Sequence, residues 1–259
     1  MRFKLIVVSM FFFMAWFTNC DKNSPTSVNP DSNEFFWIHF QNDSTKVTFN
    51  ELPKIDADGE TAIQLSAFID TTIIPPYRDK NGVAHETRRL YAYQITGDDG
   101  FSASVKGYPN NSWEHLTLGH VLTETRLVVF PDDKIDIAGA YNVKNARHIY
   151  IHRKFDISSP DTTAFIELRT VTPTSVTNPE GTVEDGLPLM DLVSGYITAP
   201  ENYRYEIIAL DGYTPPTDLD WNQFQTGYWL LDSKKTMFTD STVAIGKYQI
   251  RVLEKILVK

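Results

Sequence analysis

Leu90-Tyr91-Ala92-Tyr93-Gln94-Ile95-Thr96-Gly97-Asp98-Asp99-Gly100-Phe101 and Tyr203-Arg204-Tyr205-Glu206-Ile207-Ile208-Ala209-Leu210-Asp211-Gly212-Tyr213 carry one pattern twice. In each, alternating apolar and polar residues run into Asp-Gly and then an aromatic residue. A period of two reads as a half-buried strand, and Asp-Gly is tight-turn chemistry. Ile95 matches Ile207 and Gly100 matches Gly212, with 112 residues between partners in both pairs. Asp99, Gly100, Asp211 and Gly212 are therefore expected at equivalent turns of two related units.

The pattern extends outward on both sides. Downstream, Trp113 to His120 (WEHLTLGH) parallels Trp221 to Tyr228 (WNQFQTGY), and each reads as a short helix led by tryptophan. Upstream, Ala62–Ile69 and Leu187–Val193 read as amphipathic helices; Leu187, Met190 and Val193 keep helical spacing, and Pro188 suits a first turn. Phe35–Phe40 and Ala164–Leu168 read as the opening strands, and 146–157 and 248–258 as the closing ones. Five elements in one order predict an internal duplication: an α+β fold of two β-rich pseudo-repeat units with mixed sheets and short helices. The units are expected at residues 35–157 and 158–259, with the boundary in the polar stretch Ser158-Ser159-Pro160-Asp161.

The whole chain of 259 residues is 42% hydrophobic and 13% aromatic, enough apolar mass to exclude a disordered tail. Its formal charge of −9 excludes nucleic acid as an expected partner, because a phosphate-binding surface needs a basic stripe. One cysteine excludes an internal disulfide, a cysteine-based zinc site and an iron–sulfur cluster.

That cysteine, Cys20, ends a segment with the organisation of an export signal. Arg2 and Lys4 form a positive start, and Leu5–Phe17 is an apolar run broken only by Ser9. A bilayer-spanning helix needs about 20 apolar residues, so the run is short for an anchor. A lone cysteine directly after it resembles the lipobox of bacterial lipoproteins, with Phe17 and Asn19 standing where that motif usually has small residues. The resemblance implies a signal peptide at 1–19, lipidation of Cys20, a membrane-anchored place in the bacterial cell envelope (periplasmic or cell surface) and a membrane contact through the lipid. Residues 20–34 are polar, contain two prolines and lack periodicity; they read as a tether with a reach of roughly 20 Å.

The repeated unit itself resembles the sulfite-oxidase-like molybdopterin-binding domain. The residues that carry the likeness are Gly186-Leu187-Pro188-Leu189-Met190-Asp191-Leu192, the strand Tyr205–Tyr213 with its Asp-Gly-Tyr end, and the closing Lys255-Ile256-Leu257-Val258. The likeness is best over 187–258 and fainter over 48–157. It implies that family's mixed-sheet fold. In the family a cysteine between the first strands and the helix holds molybdenum, but the corresponding stretches, Leu52–Thr61 and Thr170–Gly186, contain none. No side chain replaces a thiolate cleanly in such soft coordination. Molybdopterin is therefore possible but not the expected cofactor, and no cofactor is assigned.

Other chemistry finds little foothold. His148 and His152 share one strand face with Tyr150, opposite Ile149 and Ile151, but at about 3.3 Å per residue they lie roughly 13 Å apart, too far for one ion. His115 and His120 are separated on a helix, and His39 and His85 lack a ligand pattern. No nucleophile elbow, phosphate loop or dinucleotide fingerprint occurs. Asp98-Asp99 and Asp132-Asp133 suit turns better than acid–base pairs, since neighbouring side chains point to opposite strand faces. Arg88, Arg89 and Arg126 are anion-binding candidates, because arginine forks match phosphate; the alternative is surface solubility. Tyr108, Trp113, Tyr213, Trp221, Tyr228 and Trp229 cluster near the two turns, as core or as ligand-stacking rings. The leading expectation is a non-catalytic binding or scaffolding lipoprotein with an envelope-protein partner or a small ligand. A pterin-binding component of an envelope redox system and a carbohydrate- or polymer-binding module remain the alternatives.

Overall fold

In the first half, alternating apolar residues and turn signals produce β1 (Phe35–Phe40), β2 (Asp43–Thr48), β3 (Ile55–Ala57), β4 (Glu60–Gln64), β5 (Tyr77–Arg78), β6 (Ala84–His85), β7 (Tyr91–Gly97), α1 (Trp113–Leu118), β8 (His120–Leu122) and β9 (Val128–Val129). A long central strand, β10 (Ala146–Ser158), leads into β11 (Thr163–Glu167), β12 (Thr174–Thr177), β13 (Val183–Pro188), α2 (Leu189–Val193), β14 (Tyr205–Ala209), α3 (Trp221–Phe224), β15 (Gly227–Leu230), β16 (Thr236–Phe238) and β17 (Leu253–Val258). These elements come from a computed structural model, which describes residues 34–103, 111–131, 134–135, 138–178, 180–243 and 246–259. Cys20, Tyr108, Asp132 and Asp133 lie outside the described residues.

The architecture is β-rich, with mixed sheets and few short helices. β10 organises it. Up to Arg153 it pairs antiparallel with β7 and, over His148–Ile151, parallel with β1, while β1 also pairs antiparallel with β2. From Lys154 it pairs antiparallel with β11 and, over Asp156–Ser158, parallel with β17; β17 in turn pairs antiparallel with β14. The same strand therefore serves as the closing strand of one half and the opening strand of the next. The expected boundary at Ser158–Asp161 falls after this exchange, which takes place inside β10 between Arg153 and Lys154.

The second layer repeats in the same way. β3, β4, β8 and β9 form an antiparallel sheet in that order, and so do β12, β13, β15 and β16. Each four-stranded sheet closes one of two apolar cores, one around Phe36, Ile63, Leu65, Phe68 and Tyr93 and the other around Phe155, Leu187, Leu189, Leu192 and Tyr205. Registers match as well as order. β7 and β14 each carry an irregularity where they meet β10 and β17, at Thr96/Gly97 and Ile208/Ala209 respectively. Just beyond, Gly97 N–H donates to Phe101 O and Ala209 N–H to Tyr213 O, both at 2.9 Å. The Asp-Gly turns thus occupy the same place in both halves, with Gly100 and Gly212 both at φ +81°.

Detailed contacts repeat too. The Tyr93 and Tyr205 hydroxyls, both in fully buried side chains, donate at 2.7 Å to Arg88 O and Pro200 O, five residues earlier in each case. Trp113 tilts against Tyr93 at 5.8 Å, and Trp221 against Tyr205 at 5.7 Å. The helices start where capping chemistry allows: Ser112 Oγ accepts from His115 N–H, and Asp220 and Gln223 form a reciprocal capping box.

Three sequence expectations need correction. Ala62–Ile69 is not a helix: Ala62–Gln64 pairs with β8, and only Leu65–Phe68 turns, as a 3-10 segment. Leu65, Phe68 and Ile69 are buried by the turn, while β8 supplies the backbone partners that make 62–64 a strand. Similarly, Leu187-Pro188 belongs to β13, and the helix begins at Leu189. The opening strands also match differently. By pairing, Phe35–Phe40 corresponds to the second part of β10, with Phe36 and Ile38 in the places of Phe155 and Ile157, whereas Ala164–Glu167 corresponds to β2.

Candidate functional site

Where β10 changes partners, β1 stops on one side and β11 has not yet begun its ladder. The opening is a cavity of about 600 Å³. Its walls come from both halves: Phe40 and Tyr91 from the first, Leu168, Trp229 and Lys234 from the second, and Tyr150–Arg153 from β10 between them. Tyr77 adds a further ring from β5. The β5/β6 hairpin lies in the connection from Phe68 to Arg88, which is far longer than the matching connection from Val193 to Pro200. The duplication is thus broken at this wall by an inserted hairpin.

The charge at this site opposes that of the chain. Asp and Glu outnumber Lys and Arg by 33 to 24 overall, yet among the described residues the lining contains Arg153, Arg169 and Lys234 and no carboxylate. Arg169 donates through Nε to Glu167 at 2.6 Å and through Nη2 to Gln94 Oε1 at 3.3 Å. Lys234 is exposed and sits at φ +51°. Val252, also in the wall, has φ +55°, a left-handed backbone that strains a β-branched residue and that a neighbouring fold must hold in place.

Arg153 is the unusual member. Along β10, Ile149, Ile151, Phe155 and Ile157 occupy one face by alternation and are all buried; Arg153 stands in the middle of that face. It is enclosed by the fold but keeps surface toward the cavity. Nη1 donates to Leu90 O at 2.9 Å and to Lys154 O, and Nη2 donates to Leu253 O, so the side chain joins both halves to β10. Its guanidinium lies 4.8 Å from the Phe155 ring. Among the described residues no carboxylate lies within ion-pair distance of it. Burial pushes its pKa down to about 10, against the attraction of Tyr91, Asp156 and Glu254.

A row of flat rings runs along the opposite face. His39 stacks on Tyr150 at 4.3 Å, and the parallel pairing of β1 and β10 brings His39 Nε2 within 3.0 Å of His148 Nδ1. His39 therefore has the histidine neighbour that spacing along the chain could not show. His152 lies parallel to Tyr150 at 6.4 Å, and its Nε2 is buried with no hydrogen-bond partner. Burial lowers the pKa of His39, with His148 adding to the effect, and lowers that of His152, with Arg169 adding. Neutral imidazoles are favoured here. Among the described residues no group of three histidine, cysteine or acidic side chains is placed to hold a metal ion.

The sequence-derived anion candidates do not converge. Arg88 is engaged by Glu86, donates to Ile69 O at 3.1 Å and lies 4.4 Å over Trp113. Arg89 meets Glu254 at 2.7 Å and donates to Leu210 O at 3.1 Å, tying one half to the other. Arg126 meets Asp98 at 2.7 Å and Glu34 at 3.6 Å, two carboxylates that Arg147 shares. Each candidate faces at least one carboxylate. Asp99 and Asp211 accept from Phe101 N–H and Tyr213 N–H at 3.0 and 3.1 Å, which is turn chemistry. Of the aromatic residues, Trp113 and Trp221 pack against the cores, Tyr213 is 45% exposed, and Trp229 reaches the cavity. Arg153 was not singled out by the sequence reading. Its signal was a cation breaking the apolar alternation of Ile149, Ile151, Phe155 and Ile157.

No helix among the described residues is long and apolar enough to cross a membrane. Compared with family models, curated proteins and solved structures, the chain finds no match.

Proposed function

We propose that this chain is a lipid-anchored protein of the bacterial cell envelope whose doubled scaffold, resembling a molybdopterin-binding domain, binds a small ligand instead of catalysing a redox reaction. One observation carries the reading: the cavity lies where the two copies share β10, and it is lined by rings and cations without a nucleophile–base pair. The molybdenum centre of the resembled family does not suit these residues. The hairpins β3/β4 and β12/β13, which span the relevant stretches, contain no thiolate donor, and Arg88, Arg89 and Arg126 already face carboxylates.

Anchoring is tested with Cys20→Ser expressed beside the natural sequence. The variant is expected in the soluble fraction or as uncleaved precursor. Normal maturation with unchanged membrane fractionation would contradict the anchor. Sulfite oxidation and sulfoxide reduction, assayed on the natively expressed protein, are expected to be absent. Turnover of either substrate would overturn the non-catalytic reading.

A further inference from the structure

We propose that the cavity at the β10 exchange holds a small organic monocarboxylate with a flat apolar body, its carboxylate on Arg153 and its body beside Tyr91 and Trp229, the rings on the Arg153 side of β10. The inference rests on the reading of this protein as a binding protein and names its ligand class.

A guanidinium taken out of water is costly unless an anion faces it. Arg89 and Arg169, its basic neighbours, have Glu254 and Glu167. Arg153 has three carbonyl oxygens, from Leu90, Lys154 and Leu253, which orient it without cancelling its charge. Those bonds engage Nη1 and one hydrogen of Nη2. Nε and the second Nη2 hydrogen have no acceptor among the described residues. N–H groups left without an acceptor on an enclosed guanidinium are donors for charge-assisted hydrogen bonds to a carboxylate.

Charge sets the class. Among the described residues of the lining, Arg153 is the enclosed cation with no carboxylate at ion-pair distance, Asp156 and Glu254 attracting it only from further away, whereas Lys234 is exposed. One enclosed charge balances a monoanion; a phosphate dianion would need a second desolvated cation, and the lining has none. Shape sets the rest. Tyr91 and Trp229 give the cavity aromatic walls on the Arg153 side, and a volume of about 600 Å³ is in the range that holds a ring-sized ligand. Arg153, Arg169 and Lys234, with no carboxylate among the described residues of the lining, focus a positive field for an entering anion.

The test is calorimetric titration of the full chain, purified in detergent, with 2-naphthoate, its neutral isostere 2-naphthamide and inorganic phosphate. Naphthoate is expected to bind at least tenfold more tightly than naphthamide, and phosphate to compete poorly with it. Arg153→Met is expected to abolish the preference for naphthoate over naphthamide, and Lys234→Gln to retain most of it. Should Arg153→Met fail to fold, the naphthoate-to-naphthamide ratio of the unmodified chain decides alone. Equal affinities would overturn the carboxylate inference while leaving a binding protein. Displacement of naphthoate by lower concentrations of phosphate, or no binding of any of the three, would overturn it as well. Sulfite or sulfoxide turnover would instead remove the underlying reading, whatever naphthoate does.

Discussion

Gly119→Ala and Gly227→Ala are each expected to destabilise the protein by about 1–3 kcal/mol, the range for overpacking a filled core. The two glycines begin equivalent segments, directly after α1 and at the first residue of β15. A Cβ at Gly119 would stand 2.4 Å from Phe130 Cε1 and 2.7 Å from Leu65 Cδ1. At Gly227 it would stand 2.6 Å from Phe238 Cε1 and 2.7 Å from Leu189 Cδ1. All four neighbours are at most 8% exposed, so none can swing into solvent. Gly195, which has nothing within 4 Å of an added Cβ, is the control; Gly195→Ala should stay within about 0.5 kcal/mol. Chemical denaturation of the three variants reads the result. A neutral Gly119→Ala beside a costly Gly227→Ala would show that the two sites are not equivalent.

Phe36→Ala and Phe155→Ala are expected to cost more, about 3–5 kcal/mol each, because each removes a fully buried ring from a packed core. Phe36 lies 4.7 Å from the Phe68 ring and 5.7 Å from Phe49, while Phe155 meets Trp229 edge to face at 5.4 Å. The two residues hold corresponding places in the two cores. β10 pairs with strands of both halves in one seven-stranded sheet, so loss of either core weakens a strand that the other core also uses. Each variant should therefore unfold in one transition at a lower denaturant midpoint. Two separated transitions in the Phe155→Ala variant would mean that the halves unfold independently and that β10 does not couple them.

Much of this arrangement could be read in the residues, and the failures have physical causes. The Asp-Gly turns and the tryptophans that open α1 and α3 were legible because a left-handed glycine and a half-buried indole packed on a core each need a particular residue. The offset between matched elements exposed the duplication for the same reason. The opening strands were matched wrongly because FFWIHF and AFIEL are both apolar runs, and register depends on partners far away in sequence. Ala62–Ile69 read as a helix because apolar residues at 62, 63, 65, 68 and 69 suit helical periodicity, whereas pairing with β8 decided the backbone. The double use of β10 was not legible at all, since one continuous strand pattern carries no mark of where its neighbours change. That exchange makes the cavity, so the site was hidden with it. Only Arg153, a cation in an apolar row, announced it locally.

We propose that the scaffold, which resembles a molybdopterin-binding domain, binds a small ligand in place of metal redox chemistry. Elemental analysis and cofactor extraction of the natively expressed, natively purified protein test it most directly. The account predicts no molybdenum and no pterin, because Cys20 is the only thiol in the chain and the hairpins that would present the metal ligand contain none. Stoichiometric molybdenum, with or without its pterin, would contradict it.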